Sequence, residues 1–170
     1  MRGYLLDTNV LSSWLMSTRP QHQTVCSKME SLPPGTPLMT SIVVIGEMEY
    51  GLQAVDQSMR ASLGKVLDEA RGQLPRALPI DESTAAVYGS IRARLFDKYG
   101  PKYARRKVKR PEQLVDPATS KTLGIHENDL WIAAQAVARN LVLASCDAHM
   151  SRIGCIAPEL TVEDWGKPSA

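Results

Sequence analysis

Four acidic residues stand where a carboxylate could act on a substrate: Asp7, Glu47, Asp129 and Asp147. Asp7 directly follows the apolar run YLL, and Asp147 comes shortly after LVLAS, so both lie at the ends of predicted buried strands. In open α/β sheets, ligands bind beyond the carboxyl ends of the strands. The two aspartates are therefore candidates for a site at that edge of a sheet.

The other two acids lie on predicted helices, and the helical repeat indicates which way they face. Glu47 shares a face with Val43, Val44, Tyr50 and Gly51, and Asp129 shares a face with Ile132, Ala133, Ala136 and Val137. Because these faces are largely apolar, we expect Glu47 to point inward at the edge of the core. Asp129 stands in the first turn of its helix, where a carboxylate can be held at the mouth of the core.

Four carboxylates directed at one rim predict a divalent cation. Without one, like charges a few ångströms apart would raise one another's pKa or force protonation. Mg²⁺ takes oxygen ligands and engages substrate phosphates, and Mn²⁺ has similar preferences. With such an ion, a water activated by the metal can attack a phosphorus centre whose charge the metal stabilises. Four acids do not decide between one ion and two.

Each acid taken alone has a plainer interpretation. An aspartate after a strand is often a helix N-cap, so Asp7 is evenly balanced between cap and ligand, and Asp147 can equally cap a short helix. Asp129 can serve only the helix dipole. Glu47 is harder to explain in this way, since a glutamate on an apolar face needs a partner. Only the joint placement of the four favours a site.

The elements that must position these acids alternate along the chain. The predicted strands are GYLL, PLMT, ALPI, LVLAS and ELTVEDW. The predicted helices are one beginning near residues 8–10, Gln21 to Leu32, SIVVIGEMEYGLQAV capped by Ser41, Gln57 to Gln73, one capped by Asp81 that runs through Leu95, and HENDLWIAAQAVARN. This alternation predicts an α/β fold with a mainly parallel sheet.

Length and composition predict one globular domain. The chain has 170 residues, of which 44% are hydrophobic, enough for a core without disulfides. No run of about 18 apolar residues is present, so no membrane-spanning helix is expected. The N-terminus has no signal-peptide core, and the three cysteines form no CxxC pair. These features favour a cytoplasmic location.

Positive charge is concentrated in one segment. Residues 98–110 contain seven of the 20 basic residues and none of the 18 acidic ones, so the rest of the chain is net acidic. Such a segment suits polyanions, and its tyrosines, Tyr99 and Tyr103, could stack on unpaired bases. A solvated loop with locally packed tyrosines explains the segment equally well.

Several motifs together resemble those of PIN-domain ribonucleases. They are LLDTNVL near the N-terminus, GEMEYG after an apolar helix start, ENDLWIAAQA, and LVLASCD near the C-terminus, in the family's order. Within the family, the sequence most resembles the VapC-type toxins of bacterial toxin–antitoxin pairs. The segment DESTAAVYGSIRARL also resembles the matching helix of those toxins. The resemblance covers nearly the whole chain, and the motifs are specific as a set.

The resemblance implies a fold and a set of ligands. The fold is a three-layer α/β/α PIN-like domain over residues 1–170, with a central, mainly parallel sheet and a basic insertion at about 98–123. The catalytic, metal-binding acids are Asp7, Glu47, Asp129 and Asp147, holding Mg²⁺ or Mn²⁺. These are the same four acids that strand ends and helix faces indicate.

The resemblance also implies supporting residues around the acids. Thr8, Asn9 and Asn128 fall in motif positions and would orient the carboxylates. Ser145 stands where the family often has threonine, and its hydroxyl would bind a carboxylate or a metal-bound water. His149 is expected at the surface, and Met150 replaces an aromatic residue that is common there.

Similar proteins are endoribonucleases that hydrolyse phosphodiester bonds, often in transfer or ribosomal RNA. They form homodimers and are inhibited by a small antitoxin that inserts into the active-site groove. The same activity and partners, with no membrane contact, are implied here. The residues expected to contact RNA are Arg105, Arg106, Lys107, Lys109 and Arg110. An antitoxin contact or a flexible insertion are alternative roles for this segment.

Two other functions are alternatives to the nuclease. A phosphatase with an aspartyl nucleophile at Asp7 needs a second acid two positions later, and Asn9 cannot transfer that proton. A PIN-like RNA-binding or regulatory module that does not cleave is the remaining alternative, although the retention of all four acids argues against it.

Overall fold

The computed structural model of the chain describes residues 2–73, 77–101 and 110–167. The strands are β1 (Tyr4–Leu6), β2 (Leu38–Thr40), β3 (Val142–Ser145) and β4 (Thr161–Asp164). The α-helices are α1 (Thr8–Leu15), α2 (His22–Ser31), α3 (Ile42–Ala54), α4 (Gln57–Gln73), α5 (Glu82–Tyr99), α6 (Glu127–Ala138) and α7 (Ala148–Gly154). A 3-10 helix covers Pro111–Gln113.

The four strands form one sheet in the order β2-β1-β3-β4, and every pair is parallel. Leu6 of β1 is in register with Thr40 of β2 on one side and with Ala144 of β3 on the other. The two central strands are short and apolar, as is usual where helices cover both faces of a parallel sheet. The prediction of a central parallel sheet is confirmed.

Helices pack on both faces of the sheet, which gives three layers. Side chains alternate between faces along a strand: Leu5 belongs to one hydrophobic cluster, with Val44 of α3 and Ile91 of α5, whereas Leu6 belongs to another, with Val25 of α2. Burial of these two clusters is the main force that holds the helices against the sheet. The predicted α/β/α architecture is confirmed.

Polar residues at the predicted positions begin two of the helices, α3 and α5. The Ser41 hydroxyl accepts a hydrogen bond from the Val43 amide at 2.9 Å, and the Asp81 carboxylate accepts one from the Thr84 amide at 2.9 Å. Each of these bonds satisfies an amide that has no partner within its helix. At the other end of α6, Asn140 takes a left-handed conformation (φ 51°), which ends the helix immediately before β3.

The prediction of a strand at ALPI is wrong. Leu78 forms a single bridge to Ser41, and no ladder follows. Pro79 has no amide to donate, so it cannot continue a ladder. The carbonyls of Leu78 and Pro79 instead accept hydrogen bonds from the buried side chain of Gln135, at 2.9 and 3.0 Å.

The basic insertion is described in part. Arg105, Arg106, Lys107 and Lys109 lie outside the described residues, whereas Arg110 is exposed at the start of the 3-10 helix. After it, Val115 and Thr122 form an antiparallel bridge, and the neighbouring Leu114 and Leu123 are buried in the main core. This part of the insertion is therefore packed against the domain.

None of the helices in the described ranges is long and apolar enough to cross a membrane.

Candidate metal centre

Asp7 and Asp147 lie just beyond the carboxyl ends of neighbouring strands. The Asp7 amide donates to the Ala144 carbonyl at 3.0 Å, which places Asp7 beside Ser145 at the end of β3. The Ser145 hydroxyl donates to Asp7 Oδ2 at 2.7 Å and accepts from the Asp147 amide at 3.0 Å. One hydroxyl therefore links both strand ends, and it binds a carboxylate in the way that the resemblance implies.

Asp7 is both a helix cap and a buried carboxylate. Its Oδ1 accepts a hydrogen bond from the Thr8 amide at 2.7 Å at the start of α1, and the residue is only 4% exposed. The cap explains how the sequence turns from strand to helix at this point. It does not explain the burial, since an exposed aspartate caps equally well.

Glu47 is held from two sides by hydrogen-bond donors. The Thr8 hydroxyl donates to Glu47 Oε2, and Asn128 Nδ2 donates to Glu47 Oε1 at 2.8 Å. These contacts join α1, α3 and α6 at one carboxylate. Thr8 and Asn128 therefore orient Glu47, as the motif positions implied.

The helix face that carries Glu47 runs from the core to solvent. Val44 is fully buried one turn earlier, Glu47 is half-buried, and Tyr50 one turn later is 76% exposed. The expectation that Tyr50 shares an inward face is therefore wrong. The i+3 rule gives the relative direction of side chains, but it does not say where a helix leaves the core.

Asp129 and Asp147 stand at the starts of α6 and α7. Asp129 Oδ2 accepts a hydrogen bond from the His126 amide at 2.6 Å, and Asp147 Oδ1 accepts one from the His149 amide at 2.8 Å. The Asp147 side chain is 40% exposed, and His149 Nδ1 lies 3.6 Å from its Oδ1. His149 is half-buried against Gly124, a packing role that the sequence did not indicate.

The four carboxylates act on one another electrostatically. Burial raises the pKa of Asp7 to about 6; the charges of Asp129 and Glu47 add to the rise, and hydrogen bonds from Ser145 and Thr8 oppose it. Burial likewise raises the pKa of Asp129 to about 6, with further contributions from Asp147 and Glu47. Glu47 thus acts on both Asp7 and Asp129, Asp129 acts on Asp7, and Asp147 acts on Asp129.

The donor chemistry of the four acids fits a hard divalent cation. Among the described residues, no lysine or arginine pairs with any of them, and their basic neighbours are two histidines, His149 beside Asp147 and His126 beside Asp129. Within the same residues, no three or more acidic, histidine or cysteine side chains are arranged as a group that could together hold a metal ion. Mg²⁺ keeps several waters and needs only one or two direct carboxylates, so an open set of oxygens suits it.

Asn9 has a different place from the one expected. It is exposed and lines a recess of about 350 Å³ together with Arg19, Cys146 and Asp147. Among the contacts of the described residues, none joins its side chain to a carboxylate. Burial, followed by the charges of Asp164, Asp7 and Asp147, raises the pKa of the Cys146 thiol to about 11.

An apolar groove leads up to the carboxylates. It has a volume of about 380 Å³ and lies between α1, α3 and α4. Its apolar lining includes Met48, Leu52, Val55, Leu63 and Val66, and its polar lining includes Thr8, Glu47 and Arg19. A peptide chain that filled this groove would therefore touch Glu47 and Thr8, one of the two residues that orient Glu47. Arg19 was not anticipated from the sequence.

Comparison with known proteins agrees with this architecture. Similar solved structures include VapBC2 from Rickettsia felis bound to a DNA fragment from their promoter (21% identity, TM-score 0.67, 94% of this chain and 96% of that one). They also include VapBC-1 from nontypeable Haemophilus influenzae (22% identity, TM-score 0.66, 96% of this chain and 98% of that one). A third is VapBC-5 from Mycobacterium tuberculosis, a member of the VapBC family of toxin-antitoxin systems (21%, 0.59, 96% and 97%).

At these identities the solved structures establish a shared fold over nearly the full length of both chains. No curated protein sequence matches the chain. The family model of the PIN domain matches residues 4–154, which include all four carboxylates and every strand except β4. The chain therefore belongs to the PIN domain family.

Proposed function

We propose that this chain is a Mg²⁺- or Mn²⁺-dependent endoribonuclease that acts as the toxin of a type II toxin–antitoxin pair. The observation that carries the proposal is the set of Asp7, Glu47, Asp129 and Asp147, whose charges act on one another and, in the described part of the chain, have no lysine or arginine partner. Membership in the PIN domain family and the likeness to VapBC structures support it.

The chain's own residues would hold and orient the reacting groups. Asp7, Glu47, Asp129 and Asp147 would bind the cation, with Asp7 fixed by Ser145 and Glu47 fixed by Thr8 and Asn128. When bound, the cation supplies Lewis-acid chemistry, because it lowers the pKa of water and stabilises charge at phosphorus. The fixed carboxylates would position the phosphodiester in advance of the reaction, which lowers the cost of bringing the groups together.

Cleavage of RNA by the purified, antitoxin-free protein tests this function. We expect transfer RNA or an unstructured RNA to be cut with Mg²⁺ or Mn²⁺ and left intact with EDTA. Asp7→Asn and Asp129→Asn should abolish cleavage while the fold is kept, since each removes one charge from the cluster without changing its size. Glu159→Gln is the matched control, because Glu159 pairs with Arg94 outside the cluster.

The result also separates the nuclease from its alternative. A protein that binds RNA but never cuts it with either ion would support a non-cleaving RNA-binding module. If Asp129→Asn cut RNA as fast as the unmodified protein, Asp129 would not be a ligand. Full activity of Asp7→Asn would exclude Asp7 in the same way.

The cognate antitoxin is proposed to bind in the apolar groove between α1, α3 and α4. An apolar segment seated there would bury Leu52 and Met48 and would end at Thr8 and Glu47, so it would block the carboxylates. This arrangement inhibits the enzyme without any change in its fold. A homodimer is the expected assembly of such a toxin, and sedimentation velocity of the purified chain tests it.

Co-expression with the product of a small open reading frame beside the gene tests the antitoxin. We expect it to suppress toxicity of the unmodified chain but not of Leu52→Glu, which puts a charge in the groove. Gln53→Glu carries the same charge on the exposed side of α3 and should remain suppressed. Equal suppression of both variants would place the antitoxin elsewhere.

A further inference from the structure

Tyr50 is the most exposed of the large hydrophobic side chains in the described part of the chain. It is 76% exposed, whereas the other aromatic side chains in the described ranges pack against neighbours, such as Tyr88 against Trp131 and Tyr4 against Trp165. It stands three residues after Glu47 on α3, so both side chains project from the same side of that helix. An aromatic ring is thus presented to solvent beside the candidate metal centre.

The space beside this ring is an open recess of about 510 Å³. It is lined by Val43, Gly46, Glu47, Tyr50 and Asn128. Glu47 and Asn128 are joined by the 2.8 Å hydrogen bond that orients Glu47, so whatever fills the recess is adjacent to that carboxylate. A side chain at position 46 would meet nothing within 4 Å, which shows that α3 leaves this space clear.

The chemistry of the lining favours a flat, uncharged group over a phosphate. None of the described residues that line the recess is basic, and one of them is a carboxylate. A phosphate would therefore be repelled unless it sat on the cation itself. A nucleobase has a neutral face that stacks on an aromatic ring, and its edge can hydrogen-bond to an amide such as that of Asn128.

We infer that Tyr50 is a stacking platform for one unpaired nucleobase of the RNA, next to the nucleotide whose phosphate lies at the carboxylates. This inference rests on the proposed nuclease function and assigns Tyr50 as a base-binding position beside the cleavage site. A paired base could not present its face to the ring without being unstacked from its neighbours. Tyr50 would contribute to binding and to the choice of cleavage site.

The test combines a change in the protein with a change in the RNA. The first substrate is a short fluorescent RNA that the unmodified protein cuts at one bond. The others are versions of this RNA in each of which one nucleotide near that bond lacks its base. We expect Tyr50→Ala to raise KM by about tenfold, the size of a lost base–aromatic stack. Tyr50→Phe should keep the original KM, because the ring remains.

The decisive result is non-additivity at one position. For the RNA that lacks the stacked base, Tyr50→Ala should not raise KM any further. For RNAs that lack a base at another position, Tyr50→Ala should still raise KM by the full factor. Ile80→Ala is the matched control, since Ile80 is also an exposed hydrophobic residue (42%). It lies away from the carboxylates, because the adjacent Asp81 pairs with Arg139, at the opposite end of α6 from Asp129. Its KM should equal that of the unmodified protein.

Three outcomes would overturn the inference. One is an unchanged KM for Tyr50→Ala while the unmodified protein cuts RNA, which would leave the proposed function intact. Another is a rise in KM from Tyr50→Ala that adds to the rise from the missing base at every abasic position. The third is dissociation of a homodimer by Tyr50→Ala in sedimentation velocity, which would make Tyr50 a contact between copies. Absence of any cleavage by the unmodified protein would instead overturn the proposed function together with the inference.

Discussion

Single residues at this site serve the fold and the candidate chemistry together. Asp7 caps α1, yet it is buried and its pKa is raised to about 6, mainly by that burial. The cap interaction recovers only part of the cost of removing a carboxylate from water. A residue that merely capped would be more stable if exposed, so its burial is a cost that the proposed cation binding would offset.

The Asp129→Asn variant of the metal-free protein should be more stable than the unmodified protein at neutral pH. The folded pKa of Asp129 is raised to about 6, so the folded state binds its proton more tightly than the unfolded state does. Stability due to this group is therefore greatest in acid and is lost as the pH rises through about 4 to 6. Asparagine can keep the acceptor for the His126 amide without that loss.

Denaturant unfolding in EDTA, followed by circular dichroism, measures this effect. At about pH 7.5 we expect the free energy of unfolding of Asp129→Asn to exceed that of the unmodified protein by about 1–3 kcal/mol. At about pH 5 the difference should shrink, since Asp129 is then largely protonated in the folded protein. A variant that is less stable at both pH values would show that its hydrogen bond to His126 outweighs its charge.

Sequence patterns predicted where the four acids stand on the strands and helices, and they predicted the surroundings of these acids less well. Asp7 and Asp147 follow from the ends of buried strands, and Thr8 and Asn128 followed from motif positions. The exposure of Tyr50 did not follow, because helical spacing cannot locate the point where α3 leaves the core. Arg19 was missed for a related reason, since it lies in an irregular turn that no periodic pattern describes.

The elements were predictable where local signals were strong. The helix predicted at Gln57 to Gln73 has those limits in the structure, and Ser41, Asp81 and Asp147 cap the helices that follow them. The ALPI strand failed because Pro79 has no amide to continue the ladder beyond the Leu78 bridge, and because the side chain of Gln135 competes for the Pro79 carbonyl. That competition depends on a contact between distant parts of the chain.

At the level of elements, a tight contact fixes α7, the helix that Asp147 caps. Gly124 has a left-handed conformation (φ 72°), and the His149 ring occupies the space where its Cβ would lie. The preceding Leu123 carbonyl accepts a hydrogen bond from Arg152 of the same helix and lies 3.3 Å from His149 Nδ1. The turn at 123–124 is therefore docked on α7.

Gly124→Ala should destabilise the protein by about 2 kcal/mol or more, from overpacking together with the strained backbone. Adding His149→Ala to the Gly124→Ala variant should recover the stability that is lost through overpacking. The stability that is lost through the positive φ should not be recovered. A double-mutant cycle by denaturant unfolding measures both parts. If the two changes were additive, the ring would not be what excludes a side chain at position 124.

The whole molecule combines a net acidic body with one basic segment. Neutralising Arg105, Arg106 and Lys107 together, each to glutamine, should weaken RNA binding and flatten its dependence on salt. If each contacts one phosphate of a single strand, the slope of log K against log salt should fall by about 2. Fluorescence anisotropy at several salt concentrations measures the slope.

A second triple variant controls for the loss of charge alone. Neutralising Lys28, Arg60 and Lys65 removes the same charge from helices outside the basic segment, and it should leave the slope nearly unchanged. Equal slopes for the two triple variants would favour an antitoxin contact or a passive loop for the segment.

The two strand-end acids differ in how firmly the molecule holds them. Asp7 is enclosed between β1 and α1 with hydrogen bonds to both oxygens, whereas Asp147 is 40% exposed and caps a helix of only 7 residues. The centre thus has one carboxylate that is closed to solvent and one that is open to it. Because the contact with Gly124 holds α7 in place, ions of different radius would be accommodated by the Asp147 side chain rather than by displacement of a helix or strand. Exchange of Mg²⁺ for the larger Mn²⁺ or Ca²⁺ should then leave hydrogen exchange in both β1 and α7 unchanged.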